Sequence, residues 1–525
     1  MKLPGTFVFV MVSLLFTLLV VACQALDHLS TSPGTQMNWF LLAFACILTA
    51  VISVSWWLML KSRLRLPPGP MALPIVGHLH LLLKLPHQSF HKLSHKFGPI
   101  MTIKLGNKTA IVISSKKAAK EILTSYDRVF ASRPVLISPQ SLCYNSKNIS
   151  CCKYGPYWRE MRKICTTELF SSKRLSSFQN TRLEETQNLL QRVAEQLKVP
   201  INMKIELSTL TLNVITRMAI GKKFRHGEFS EDAEPLNVIL EAVRLMGAVN
   251  LGDYIPFLKR LDPGGYIPRL KKTSKKIDCI LQRLVDDHRE EKVKSGDLVD
   301  VLQSVGIEDS AIKAVILDIL AGGTDTTAVT TEWALSELLR NPECLRKVQQ
   351  EIHVIVGDNR LVNENDLHHL HYLKAVVKET FRLHPAAPMM APHESIEACT
   401  LKGYTIPAKT WLLINAWSMG RDPAQWDSPE EFMPERFINS SIDVKGCDFE
   451  LIPFGAGRRM CVGMSLALCM VELTLARLVQ AFHWALPDGS TMNMEERQGV
   501  IVARKHPLIA VANRRLPPEV YINTL

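Results

Sequence analysis

No regular spacing joins the 12 cysteines of this 525-residue chain. That excludes a disulfide framework and points to a reducing compartment. Cys151 and Cys152 stand side by side with no second pair, so a paired-cysteine zinc site is excluded too. No glycine-rich fingerprint follows a strand, so the chain holds no dinucleotide of its own. Its net charge is +12 and its pI about 9.1, yet no basic block is interleaved with aromatics as in a nucleic-acid-binding arm. The expected partners therefore include no nucleic acid; the charge suits a solvated surface near a membrane, or an acidic redox partner. Internal repeats and low-complexity segments are absent. What remains is 47% hydrophobic residues, enough for a large core.

Two long apolar runs open the chain. Phe7–Cys23 follows Lys2 and ends among the small residues Ala22, Cys23 and Ala25, in the manner of a cleavable signal or a first span. Trp39–Leu60 carries no charge over 22 residues, about 33 Å as a helix, which spans a bilayer. Trp39, Trp56 and Trp57 suit its interfaces, and Lys61, Arg63 and Arg65 put the following chain in the cytosol. Leu66-Pro67-Pro68-Gly69-Pro70 reads as a stiff spacer. The expected organisation is an N-terminal segment (1–38), a transmembrane anchor (39–60), a basic, proline-rich hinge (61–70) and one large domain (71–525).

Within that domain, β-branched residues around Gly106-Asn107 predict a hairpin over Ile100–Ser114. Helical periodicity runs through Arg182–Leu197, Pro235–Leu245, Arg269–Val293, Ala311–Arg340, Glu343–Val356 and Asp366–Leu383. The fold class is mainly α with small, sequence-dispersed β-sheets.

The most informative stretch is Phe454-Gly455-Ala456-Gly457-Arg458-Arg459-Met460-Cys461-Val462-Gly463, followed by a helical segment from Met464. Gly457 permits a sharp turn, and Gly463 lets the backbone approach a flat ligand. Cys461 then stands at a helix start, where free N–H groups favour thiolate. A cysteinate ligand pushes electron density onto iron and favours O–O cleavage. Arg459 is placed to pair with a heme propionate and Phe454 to pack on the ring. The full pattern arises by chance in on the order of one chain in ten thousand. The bland alternative, a buried structural cysteine beside a turn, loses by a wide margin.

Preceded by Pro453, this stretch resembles the heme-binding loop of the cytochrome P-450 family, in the form typical of plant enzymes that oxidise flavonoids and terpenoids. Other landmarks recur in order from Pro67 onward. Trp158 and Arg162 lie one helical turn apart, and the resemblance makes them propionate contacts. Ala321-Gly322-Gly323-Thr324-Asp325-Thr326-Thr327 breaks an apolar helix with residues that disfavour it, each Gly costing about 1 kcal/mol relative to Ala. Such a violation points to function or to close packing. Small residues leave room for O₂ and substrate, and Asp325 and Thr326 supply an acid and an alcohol for passing protons to the oxygen site. Glu379 and Arg382 put opposite charges at i, i+3. The resemblance adds Arg436 as a third member supporting the heme loop, and His393 as a further propionate contact.

The resemblance implies a single P-450-type domain binding heme b, with Cys461 ligating the iron. It implies a monooxygenase in the endoplasmic reticulum membrane, its catalytic domain on the cytosolic face, with electrons from an NADPH-dependent flavoprotein reductase. The pocket is expected from Arg133–Cys152, Pro235–Tyr254, Ala314–Gly322, Pro385–Met390 and Gly499–Val502. These apolar segments suggest a phenylpropanoid, flavonoid, terpenoid or fatty-acid-like substrate. Two rivals are a heme-thiolate isomerase or dehydratase acting on peroxides without O₂, and a non-catalytic heme carrier or gas sensor. The Asp325-Thr326 pair argues against the first, and the open glycine-rich helix against the second.

Overall fold

The computed structural model describes Thr49 and residues 65–82, 84–224, 234–290 and 296–522. Apart from Thr49, the expected first segment and anchor lie outside the described residues. The chain divides into two units, Met1–Arg65 and Leu66–Leu525, and the second carries the architecture.

Its axis is the 32-residue helix Asp309–Arg340. This central helix is apolar on all sides, so it is driven inside and not onto a surface. Asp309 in its first turn and Arg340 in its last complement the helix dipole. Among the helices packed against it are Met203–Ile220, Met464–Ala481, Pro235–Gly247, Tyr266–Glu290 and His371–Leu383. The first was not anticipated from periodicity. It starts where the Asn202 side chain accepts from Ile205 N and ends at Gly221 in a left-handed conformation (φ 72°). Among the described residues, Met464–Ala481 alone is long and apolar enough to cross a membrane, and it is mostly buried core.

The hairpin forms as expected, Ile100–Leu105 pairing antiparallel with Lys108–Ile113. Lys108–Ile113 pairs in parallel with Trp411–Ile414, and His393–Glu394 closes that sheet's other edge. Smaller sheets join Pro200–Asn202, Ile509–Arg514 and Phe482–Ala485, and Cys399–Leu401 with Tyr404–Ile406. The mainly helical fold with small, dispersed sheets is thus the one observed. The proline-rich stretch is docked on the first strand: Thr102 donates from N to Pro68 O and from Oγ1 to Pro67 O, both at 2.8 Å. A Cβ on Gly69 would lie 2.0 Å from Thr102 O, so only glycine fits there.

Candidate functional site

The Cys461 loop is folded by its own backbone. Cys461 N donates to Phe454 O at 3.0 Å, and Met460 N to Gly457 O at 3.1 Å. Gly457 adopts φ 67°, and a Cβ there would meet Asp127 Oδ1 and Leu123 O at 2.7 Å. Turn and close approach both require glycine. Gly463 caps the Met464–Ala481 helix at φ −89°, and a Cβ on it would touch the Phe170 ring at 3.5 Å. Phe454 packs edge-on against Phe381 at 5.0 Å.

Cys461 is exposed to a water-sized probe although protein surrounds it closely. Its sulfur therefore faces an internal space. Burial pushes the thiol pKa up, against the Gly463 N–H and Arg162, which both favour thiolate. For the thiol by itself desolvation outweighs these donors. Metal coordination deprotonates a thiol outright.

Around this space stand donors without acceptors. Trp158 is buried, yet its Nε1 has no hydrogen-bond partner. Arg162 stacks on Trp158 at 5.5 Å and makes no hydrogen bond or ion pair among the described residues. Buried polar groups are normally satisfied, so this pair fits an anionic ligand such as a heme propionate. Arg459 is engaged differently. Its guanidinium lies over Trp158 at 4.4 Å and donates to Ala131 O, Ile149 O and Cys152 O at 2.6, 2.9 and 2.6 Å. Two of its five N–H groups remain. His393 is buried and donates from Nδ1 to Phe130 O at 2.8 Å; burial and Arg133 hold its pKa well below the usual value. As a neutral ring it offers Nε2 only as an acceptor, so donating to a carboxylate requires protonation at that nitrogen.

The central helix faces this space by one stripe. Asp318, Gly322 and Thr326, spaced by four residues, are open or partly open positions in a mostly buried stretch, and Gly323 beside them is partly open too. The two glycines separate the two explanations for them. A Cβ on Gly322 meets nothing within 4 Å, whereas one on Gly323 would lie 2.8 Å from Ile215 Cγ1. Gly322 opens the space; Gly323 packs against the Met203–Ile220 helix. Thr326 Oγ1 donates to Gly322 O at 2.6 Å, leaving its lone pairs free to accept. The carboxylate of Asp325 is buried and ion-paired with Lys204.

The expected pocket segments do meet. Cys143 Sγ lies 3.9 Å from Met246 Sδ, and a Cβ on Gly247 would be 2.8 Å from Val500 N. Val502 N donates to Ala386 O at 2.9 Å. Asp318 accepts from Ser150 N, Ser150 Oγ and Asn148 Nδ2 at 2.8, 2.6 and 3.0 Å. Burial raises its pKa against those donors, and its charge is felt at Cys461. Lys204 and Asp318 were missed from sequence. For Asp318 a signal existed: a lone acid in an apolar helix, one turn before Gly322.

Glu379, Arg382 and Arg436 assemble as expected. Arg382 forks onto Glu379 at 2.7 and 2.8 Å with both side chains fully buried, and Arg436 Nε reaches Glu379 Oε1 at 3.1 Å. Arg382 also donates to the carbonyls of Gly420, Pro429 and Glu431, at 2.6, 2.6 and 2.9 Å. The triad thereby ties down the segment leading toward the cysteine loop.

A cysteine loop closed on its own backbone, with the Trp158 and Arg162 donors beside it, has the chemistry of a heme-thiolate site. The family model described as cytochrome P450 matches residues 67–511, and the chain belongs to that family of monooxygenases, whose cofactor is a thiolate-ligated heme. It is 40% identical to cytochrome P450 93A3 of Glycine max, over 91% of this chain and 99% of that one. It is 42% identical to cytochrome P450 71A1 of Persea americana, over 84% and 92%. Among solved structures, a zebra fish cytochrome P450 with abiraterone superposes with a TM-score of 0.70 at 26% identity, covering 82% of this chain and all of that one.

Proposed function

We propose that Cys461 is the proximal ligand of heme b and that Trp158 and Arg162 hold its propionates, with Arg459 and His393 beside them. The observation that carries this is that, among the described residues, the buried Trp158 Nε1 has no hydrogen-bond partner and Arg162 beside it, near the sulfur, has no hydrogen bond or ion pair. The bound heme supplies O₂ activation and oxygen insertion. The chain's own residues orient, admit and protonate. Gly322 leaves room above the sulfur, and the ring of pocket segments excludes water from an apolar substrate. Thr326 passes a proton toward the oxygen site with its hydroxyl. Lys204 fixes the Asp325 carboxylate on the same helix. Glu379, Arg382 and Arg436 keep the cysteine loop in place.

The substrate class is an apolar small molecule of phenylpropanoid, flavonoid, terpenoid or fatty-acid-like kind. Electrons come from NADPH through a flavoprotein reductase. Residues 39–60 anchor the enzyme in the endoplasmic reticulum membrane, with the catalytic domain in the cytosol. The test is coupling. A candidate panel is titrated against the ferric heme spectrum, and the best ligand is turned over with reductase and NADPH. Acid–base assistance is worth about 10²–10⁴-fold, so Thr326→Ala should bind that ligand normally yet form less product and more peroxide per NADPH. An unchanged product-to-NADPH ratio would remove Thr326 from this role.

A further inference from the structure

We propose that His91 and His95 form a site for a late first-row divalent metal ion, held by two imidazoles and completed by water. Both lie on the helix Pro86–Phe97, one turn apart, where i and i+4 side chains share a face. Their Nε2 atoms are 3.2 Å apart and the rings meet edge to face at 86°. At the metal–nitrogen distance of about 2.05 Å usual for imidazole, that separation subtends about 100° at an ion. This angle lies between the cis angles of octahedral and tetrahedral coordination; as they stand the two nitrogens share a hydrogen bond, so an ion displaces the bridging proton and turns one ring toward the other's lone pair.

A second observation points the same way. The other nitrogen of His91, Nδ1, is 2.7 Å from Ser418 Oγ, and Ser418 is itself fixed by its N–H donating to Asn415 Oδ1 at 3.1 Å. The His91 ring also stands edge-on to Trp417, with centroids 5.3 Å apart. A metal-bound histidine characteristically has its far nitrogen held in this way, which sets the ring orientation. His91 is partly buried and His95 is exposed, so the ion has access from solvent.

The charged neighbours of His91 are mixed. Glu430 and Asp422 favour a cation, while Arg421 opposes one. Arg421 ion-pairs with Glu430 at 3.0 Å, so these two charges largely offset each other, and it lies 3.8 Å over the Trp417 ring. No group of three or more His, Cys, Asp or Glu side chains converges on a metal among the described residues. The site is accordingly a bidentate, exchangeable one. Imidazole donors suit zinc, copper and nickel, and nickel serves as the probe. The site uses none of the residues placed around Cys461 and does not depend on the proposed function.

The experiment titrates nickel(II) chloride alone into full-length, untagged, heme-loaded protein, in competition with a chromogenic chelator. Wild type should bind an ion that raises its Tm, since binding to the native state stabilises it. His95→Gln, an exposed change that leaves the fold intact, should weaken that binding roughly ten-fold or more, the scale that even a partner behind a ligand commands. His91→Gln should do the same and abolish the Tm rise. His371→Gln, at an exposed histidine elsewhere, should change neither reading. Nickel affinity in His95→Gln within about two-fold of wild type, or a Tm rise that survives in it, would overturn the proposal.

Discussion

Replacing Glu379 by glutamine tests the buried network with a change of almost no volume. One oxygen, Oε1, accepts from Arg382, from Met433 N at 2.8 Å and from Arg436; the other accepts from Arg382. In Glu379→Gln the charge is lost, and an NH₂ group must face a guanidinium donor. Arg382 is then a buried cation without a counter-charge, and Arg436 loses the same partner. Removing one partner of a buried pair costs about 3–5 kcal/mol. For a unit of about 460 residues, an unfolding entropy of about 2.1 cal/mol/K per residue makes that a fall in Tm of about 3–5 °C. The exposed pair Arg346–Glu343, with side chains 66% and 63% accessible, serves as control. Glu343→Gln should leave Tm within error, because surface pairs contribute little. Differential scanning calorimetry of the three heme-loaded proteins decides the matter. If Glu379→Gln shifts Tm no more than Glu343→Gln, the network does not hold the segment before the cysteine loop.

The adjacent glycines should respond oppositely. Gly322→Ala meets no neighbour and gains about 1 kcal/mol of helix propensity, so thermal melts should show it more stable, with weaker ligand-induced spectral shifts. Gly323→Ala drives a methyl into the buried Ile215; overpacking costs about 1–3 kcal/mol, so it should match or fall below wild type. Gly323→Ala proving the more stable of the two would reverse their assignment. Glu472 gives a pH signature. Burial pushes its pKa up to about 7, against the pull of Lys374 and Lys378. A carboxyl raised in the folded state contributes stability that is full below its unfolded pKa and lost as pH rises through 7. Denaturant titrations from pH 5 to 8 should therefore show Glu472→Gln gaining on wild type as pH rises, by at most about 1.4 kcal/mol per unit. A constant difference across that range would contradict the assignment.

The cysteine loop, the central helix, the hairpin and the Glu379–Arg382 pair were legible in sequence because each is set by local chemistry or by short spacing; Arg436 came from the family resemblance. The Met203–Ile220 helix was not: Leu, Ile, Val and Thr lie on every side of it, so no amphipathic period marks it. The role of Lys204 was hidden with that helix. Asp318 was visible as an oddity, but its partners Asn148 and Ser150 come from far along the chain. Only folding shows that this acid ties a pocket loop to the central helix. The burial that opposes the helix-end donors at Cys461 was not legible either, since sequence position carries no measure of desolvation.

The most direct measurement of the central claim is the ferrous–carbonyl absorption spectrum of wild type and of Cys461→Ala, both prepared as full-length protein with heme added. Wild type should show the red-shifted band of cysteinate ligation, and Cys461→Ala should lack it. Cys151→Ala, Cys152→Ala and Cys469→Ala should keep it. A thiolate-type band persisting in Cys461→Ala would contradict the assignment of the ligand and, with it, the reading of the site.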